Sequence, residues 1–236
     1  TAYKIFVGGE PLYVLQKINT DVFPSPDRLM ANIGLLLPYL RGQGYTRIRL
    51  RRTVEGAVFL KDKTLGVWRM FDYIRGSTTV EHTRNPELAR EAGRLLGRFH
   101  QLASGAPLSD LYTTLPGFHD LNHRVRQFEQ ALSGGIPDRI KRSGPLTEMS
   151  RKLIEPCSKI PFTQLPRRIC HNDTKLSNFL FEQTTGRGLC LIDLDTLMPG
   201  CILYDFGDAA RTLLNPLPES SRSGQGMRAD LAMFDA

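Results

Sequence analysis

I-C-H-N-D-T-K-L-S-N-F-L-F-E-Q-T-T-G-R-G-L-C-L-I-D-L-D, Ile169 to Asp195, is the stretch whose spacing decides how this chain folds. Phe179 to Glu182 and Leu189 to Ile192 are short, mainly apolar runs of strand-compatible residues. Thr184, Thr185, Gly186, Arg187 and Gly188 lie between them and read as a hairpin turn. The midpoint between Asn178 and Asp193 falls at Thr185 and Gly186, so simple two-stranded pairing carries both side chains to the open end of the hairpin. An amide oxygen beside a carboxylate is a hard-oxygen site suited to Mg²⁺.

Asp173 stands five residues before Asn178, in the pattern His171-x-Asp173-x-x-x-x-Asn178 with which kinases place a base and a metal-binding Asn. A hydroxyl held by Asp173 then faces a phosphate bridged by the metal. Downstream, Asp205-Phe206-Gly207 spells the metal-binding tripeptide of protein kinases, but its position is wrong. Asp205 is 27 residues beyond Asn178, too far for the hairpin register, whereas Asp193 is 15 beyond it and follows the apolar strand. Asp193 is therefore the expected metal ligand. Asp195 shares its strand face and is a second candidate. Asp205 is expected to brace the catalytic loop by accepting hydrogen bonds, which leaves Asp208 as a cleft-facing candidate.

With these words in hand, H-N-D-T-K-L-S-N followed by L-I-D-L-D-T-L-M-P-G-C-I-L-Y-D-F-G-D-A-A-R resembles the aminoglycoside phosphotransferase and choline kinase superfamily. Within it the chain is most similar to the N-acetylhexosamine 1-kinases, through Y-V-L-Q-K-I-N (13–19), W-R-M-F-D-Y-I (68–74) and P-G-F-H-D-L (116–121). The resemblance implies an α+β, protein-kinase-like fold of two lobes, cut at both ends. The N-lobe, residues 1–75, is a small antiparallel sheet with one helix that binds ATP, and the C-lobe, residues 76–236, is mainly helical and carries the catalytic hairpin. The N-lobe's phosphate-covering glycine-rich loop and the C-lobe's terminal helices are expected to be missing.

Composition fits this picture. At 236 residues with 41% hydrophobic content the chain can bury a substantial core. No apolar run is long enough to span a bilayer and no signal peptide is present, so a cytoplasmic location without membrane association is the default. The net charge of +7 raises nucleic-acid binding as a possibility. Its best support, Arg47, Arg49, Arg51 and Arg52, fails. The first three alternate with Ile48 and Leu50 as on the wet face of a half-buried strand, and no aromatic is interleaved to stack bases. A positive cleft that attracts ATP accounts for part of the charge. Cys157, Cys170, Cys190 and Cys201 form no C-x-x-C pair and read as free buried thiols, not zinc ligands.

Patterning along the chain supports the two lobes. Ala2 to Phe6 and Leu12 to Ile18 read as strands. A helix follows from the cap pair Ser25-Pro26, burying Leu29, Ile33, Leu36, Leu37 and Leu40, and Pro38 should bend or end it. Arg47 to Leu50, Gly56 to Leu60 and Gly66 to Tyr73 complete the sheet. Pro86 to Ala103 is a long helix with one apolar face, and Leu121 to about Leu132 another. Met227 to Phe234 reads as the start of an amphipathic helix. His100 lies beside the apolar face of its helix and reads as structural.

The resemblance assigns further roles. Asp173 accepts the acceptor hydroxyl's proton, Lys175 meets the transferring phosphate, and Asn178, Asp193 and Asp195 hold Mg²⁺. Met70, Phe71, Asp72 and Tyr73 form a hinge whose backbone meets adenine, although a core strand ending at a turn reads equally well. The strand lysine that meets the nucleotide phosphates is expected directly after Val14-Leu15, yet Gln16 stands there and Lys17 follows, on the opposite strand face. The helix near residues 25–41 has no Glu to pair with it. Phe118, His119, Asp120, Tyr204, Asp208 and Arg211 are candidates for binding the acceptor. The implied acceptor is the anomeric hydroxyl of an N-acetylhexosamine, with choline, homoserine or an aminoglycoside as rivals. A pseudokinase serving as an interaction module is the reading from another class. Oligomeric state is not legible.

Overall fold

The computed structural model describes residues 1–219, 221 and 227–235, with Thr163 described by its backbone alone. Its elements group into two compact units, residues 1–114 with 167–236, and residues 115–166. The first unit opens with β1 (Ala2–Val7) and β2 (Glu10–Ile18), antiparallel across a turn at Gly8 and Gly9. Helix α1 (Pro26–Leu36) follows. Ser25 holds the cap position without a side-chain capping bond, and only its carbonyl receives the Leu29 N–H. The helix ends before Pro38, as proline's missing N–H and fixed φ require. Leu29, Met30, Ile33 and Leu36 are all but inaccessible to solvent and pack in one core with Ile18 and Val67 of the sheet.

Three strands complete the sheet: β3 (Leu50–Arg51), β4 (Leu60–Asp62) and β5 (Gly66–Asp72), in the order β1-β2-β5-β3 with β4 also on β5. Two of these differ from the sequence expectation. Residues 47–49 run outside regular strand structure, and the alternation of exposed arginines with Ile48 and Leu50 persists without it. Residues 56–59 are not strand. Gly56, at φ +86°, donates its N–H to Thr53 O and closes a turn, so the strand starts only at Leu60. It then runs on to Asp62, whose carboxylate takes the N–H groups of Thr64 and Leu65 and makes a tight turn into β5.

After β6 (Ser77–Thr78), helix α2 (Pro86–Ala103) has the expected bounds. Asn85 caps it by accepting from Glu87 N–H, Pro86 sits at the first turn, and Ala92, Leu95, Phe99 and Ala103 are buried. The strands β7 (Arg167–Cys170), β8 (Phe179–Glu182), β9 (Gly188–Leu191) and β10 (Met198–Cys201) and the helices α5 (Ile202–Leu213) and α6 (Leu231–Phe234) belong to the same unit. β8 and β9 form the hairpin read from sequence, with β6 on the outer edge of β8, while β7 pairs with β10. α6 is shorter than expected, with 227–230 outside it.

The second unit holds α3 (Leu121–Gly134) and α4 (Pro137–Ser158), joined by the Arg151–Glu129 ion pair. Pro145 and Pro156 lie inside α4, so its sequence carries breakers where its backbone is helical. None of its residues is buried.

Cys170, Cys190 and Cys201 are buried free thiols, but Cys157 is exposed near the end of α4, contrary to expectation. It sits on a helix that buries none of its residues, so no apolar wall covers it. Burial pushes the Cys190 thiol up to about 12 and raises Cys170 further. Titration of the native chain with a thiol reagent at pH 8 should label Cys157 quickly and the other three only on unfolding. Rapid native labelling of all four would contradict the burial.

Candidate functional site

The catalytic loop is held from below by one carboxylate. Asp205, fully buried in α5, accepts from the backbone N–H of His171 (2.8 Å) through Oδ2 and of Asn172 (2.6 Å) through Oδ1. His100 Nε2 on α2 lies 3.0 Å from the same Oδ2. The Thr174 hydroxyl donates to Asp205 O, and Leu176 N–H to the Thr212 hydroxyl. Asp205 is thus the loop brace expected from sequence, despite its D-F-G context, and His100 is a structural partner.

His171 braces the loop from the other side. Its Nδ1 accepts the Asp173 N–H, which leaves Nε2 as the donor to Ile192 O at 2.9 Å. Both ring nitrogens are engaged in placing residues 173 and 192, so this imidazole serves as a brace. Asn172 adopts φ +64° and donates its side-chain amide to the carbonyls of Thr196 and Cys170. Gly200 makes that approach possible, because a Cβ there would lie 3.1 Å from Asn172 Oδ1 and 3.2 Å from Cys170 Sγ.

Held this way, Asp173 is oriented through one oxygen. Its Oδ2 accepts from Asn178 Nδ2 (2.9 Å) and faces Lys175 Nζ (3.1 Å), leaving Oδ1 to receive a proton. Asn178 Nδ2 also donates to Asp173 O (2.8 Å), so both amide hydrogens point at Asp173 and the amide oxygen points away from it. Burial works against the Lys175 charge, but Asp173, Asp193 and Glu219 outweigh it and hold the ammonium above the ordinary lysine pKa. Lys175 therefore stays cationic at neutral pH.

The hairpin register differs by one residue from the simple pairing. Phe179 faces Leu191, a bulge follows at Leu180/Phe181, and Ile192 N–H donates to Asn178 O. Asp193 lies one position further, at φ +61°, where the chain leaves the strand. Asn172 and Asp193 are the two non-glycine residues at positive φ among the described residues, and both flank this site. Asx side chains tolerate that region best, and strained backbone concentrates at functional sites.

Asp193 is exposed and Asn178 buried, both at the open end of the hairpin. One amide oxygen and one carboxylate fall short of a protein cage, but they suit Mg²⁺, which keeps waters and takes further oxygens from substrate phosphates. Asp195, the third candidate ligand, is ion-paired with Arg69 of β5. Burial pushes its carboxyl up, Arg69 offsets part of that, and Asp193 adds to it.

Gln16 and Lys17 occupy opposite faces of β2, as strand alternation requires. Lys17 lies over the Trp68 ring (5.8 Å) on the exposed face, whereas Gln16 Oε1 accepts from Arg69 Nε at 3.0 Å. Met70, Phe71 and Asp72 are in β5, and Tyr73 follows it. The N–H groups of Asp72 and Tyr73 are bonded to Arg49 O and Leu12 O, and the Asp72 carboxylate pairs with Arg51. An adenine ring would therefore read this stretch through carbonyl oxygens or through the residues after Tyr73.

Of the acceptor candidates, α5 places Tyr204, Asp208 and Arg211 on one element. Asp208 Oδ2 lies 3.5 Å from the Thr174 hydroxyl, next in sequence to Asp173, and Arg211 bridges Asp208 to Glu219 at 2.7 Å each. A cleft of about 260 Å³ opens beside them, lined by Glu81, Lys175, Leu176, Ser177, Thr212 and Glu219. Sequence reading missed Glu81 and Glu219, which no motif marks. Phe118, His119 and Asp120 belong to the other unit, where Asp120 caps α3 by accepting from His123 N–H and Phe118 O accepts from Arg124.

The braced Asp173 loop, the Asn-Asp pair at the hairpin mouth and a mixed sheet-and-helix frame fit a protein-kinase-like fold, and solved structures agree. The chain superposes on a microcompartment-associated aminopropanol kinase with TM-score 0.62 at 17% identity, covering 89% of this chain and 68% of that one. An aminoglycoside 2'-phosphotransferase-IIIa in complex with GDP gives 0.59 at 16%, covering 87% and 67%. The choline kinase LicA from Streptococcus pneumoniae gives 0.57 at 16%, covering 89% and 65%. The chain thus spans about two thirds of the length of these structures. Residues 6–233 match APH, the phosphotransferase enzyme family, and the chain belongs to it. Among the described residues, no helix is long and apolar enough to cross a membrane.

Proposed function

We propose that the full-length protein containing this chain is an ATP- and Mg²⁺-dependent kinase that transfers the γ-phosphate to a sugar hydroxyl, the anomeric hydroxyl of an N-acetylhexosamine. The observation that carries this reading is the Asp173 carboxylate, pinned through Oδ2 between Asn178 and Lys175 with Oδ1 left for a hydroxyl proton. Family membership and the relatives solved with GDP, or with AMP-PNP and Ca²⁺, support a nucleotide with a divalent ion. Residues 1–75 hold the nucleotide, and residues 76–236 supply the base and the acceptor site.

Phosphoryl transfer needs positioning and charge neutralisation more than covalent help. Asp173 orients the acceptor oxygen and takes its proton as that oxygen bonds to phosphorus. The bond to the bridging oxygen breaks, and ADP leaves with the electron pair. Lys175 neutralises charge on the moving phosphoryl group. Asn178 and Asp193 hold the metal ion, which when bound spreads the charge of the phosphate oxygens. Asp208 and Arg211 line the acceptor side.

Phosphorus NMR on the full-length protein with ATP, Mg²⁺ and, in turn, N-acetylglucosamine, N-acetylgalactosamine, choline or kanamycin tests this directly. An anomeric sugar phosphate is expected. Product from choline or kanamycin alone would overturn the sugar assignment, and intact ATP with every acceptor would count against the kinase reading itself.

A further inference from the structure

The geometry points to Arg69 as the cation that binds the nucleotide's phosphates in this chain, held in the nucleotide-free state by Asp195. The inference rests on the kinase reading above and gives a role to a residue to which the sequence reading assigned none.

Lys17 is excluded first. Its ammonium lies over Trp68, and its Cε lies 2.9 Å from where a Cβ on Gly66 would stand, so its side chain follows the outer face of the sheet. Gln16 faces inward but carries no charge. Directly across from it in the β2–β5 register stands Arg69, whose residue surface is 3% exposed. Two neighbouring strands therefore present an amide and a guanidinium side by side, with the guanidinium as the charged member.

Arg69 is poorly satisfied as a merely structural cation. A guanidinium offers five N–H donors. Its partners are Gln16 Oε1 at 3.0 Å, Met30 Sδ at 3.8 Å, the Phe71 ring at 5.2 Å and the Asp195 carboxylate. A thioether is a weak acceptor, and a buried ion pair repays its desolvation only when the remaining donors are well bonded. Asp195 is in the same position, since its carboxylate is largely buried against that guanidinium. Each member of the pair is thus better served by what a nucleotide would bring, oxygens for Arg69 and a metal ion for Asp195.

The location agrees. Asp195 is two residues from Asp193 at the mouth of the hairpin, and Lys175 lies 3.1 Å from Asp173 in the neighbouring loop. Arg69 therefore ties the sheet, through Asp195, to the segment that carries Asp193. When phosphates enter, the Arg69 fork exchanges Asp195 for phosphate oxygens, a bidentate geometry that suits guanidinium better than ammonium. Gln16 keeps Nε fixed and so aims the fork. The missing helix Glu is then no defect, because Asp195 supplies the holding carboxylate from the other side.

Calorimetry on the full-length protein separates phosphate from base recognition by comparing ADP with adenosine. Arg69→Gln should weaken ADP binding by about 10- to 100-fold, the loss of one charge-assisted contact, with adenosine binding unchanged. Arg69→Lys should restore part of the loss. Asp195→Asn, measured without Mg²⁺, should bind ADP several-fold tighter than wild type because the competing carboxylate is gone. If Arg69→Gln weakens ADP and adenosine equally, or binds ADP as wild type does, the assignment is overturned while the kinase reading stands. Failure of the wild-type protein to bind ADP at all would overturn both.

Discussion

Asp173→Asn should lower kcat by about 10²- to 10⁴-fold, the usual contribution of a positioned general base, while ADP binds as tightly as before. Asn is nearly isosteric, and its oxygen can still accept from Asn178 Nδ2 and face Lys175 Nζ, the two contacts that orient residue 173. What disappears is the lone pair on Oδ1 that would take the acceptor's proton. Because the loop is fixed independently through His171, Asn172 and Thr174, the substitution should leave the fold alone. Coupled detection of ADP release gives kcat, and calorimetry gives the affinity. Equal turnover by the two proteins would remove Asp173 from the chemistry.

Asp205→Ala should act on stability instead. The carboxylate is fully buried and accepts two backbone N–H bonds, with His100 Nε2 at 3.0 Å. Removing it strands two donors at the point where the chain must reach Asn172's left-handed conformation. Breaking such a buried network costs about 3–5 kcal/mol. For a chain of this size that lowers Tm by about 10 °C. The loop also loses its support, so turnover falls with it. Thermal unfolding followed by circular dichroism gives the first effect. A Tm within about a degree of wild type would mean that the loop is held by something other than this carboxylate.

The two carboxylates differ in how plainly the sequence announced them. Asp173 was legible because spacing within one short segment fixes it against Asn178, and the hairpin between 179 and 192 is written in two apolar runs around a Gly-containing turn. Helix α2 was legible to the residue, because Asn85-Pro86 signals its start and one apolar stripe carries its length. The bulge at Leu180/Phe181 was not, since an extra residue in one strand leaves no mark in apolar alternation. Strand β4 was misplaced because 56–60 looks strand-like, while the turn depends on Gly56 reaching positive φ. The mid-helix Pro145 and Pro156 hid α4 altogether. Arg69 was hidden for a different reason. Alternation says which face a residue takes, but which strands are neighbours is a property of the sheet, and only the β2–β5 register sets Arg69 beside Gln16. Asp208 and Arg211 were named as candidates from the resemblance, whereas Glu81 and Glu219 of the neighbouring cleft were not legible, because they gain meaning from which segments meet there and not from any spacing.

A crystal structure of the full-length protein with a non-hydrolysable ATP analogue and Mg²⁺ tests the central claim most directly. The account predicts a metal ion coordinated by Asn178 Oδ1 and the Asp193 carboxylate, with the terminal phosphate facing Asp173 and Lys175. A nucleotide bound elsewhere, or a metal ion that touches neither Asn178 nor Asp193, would contradict it.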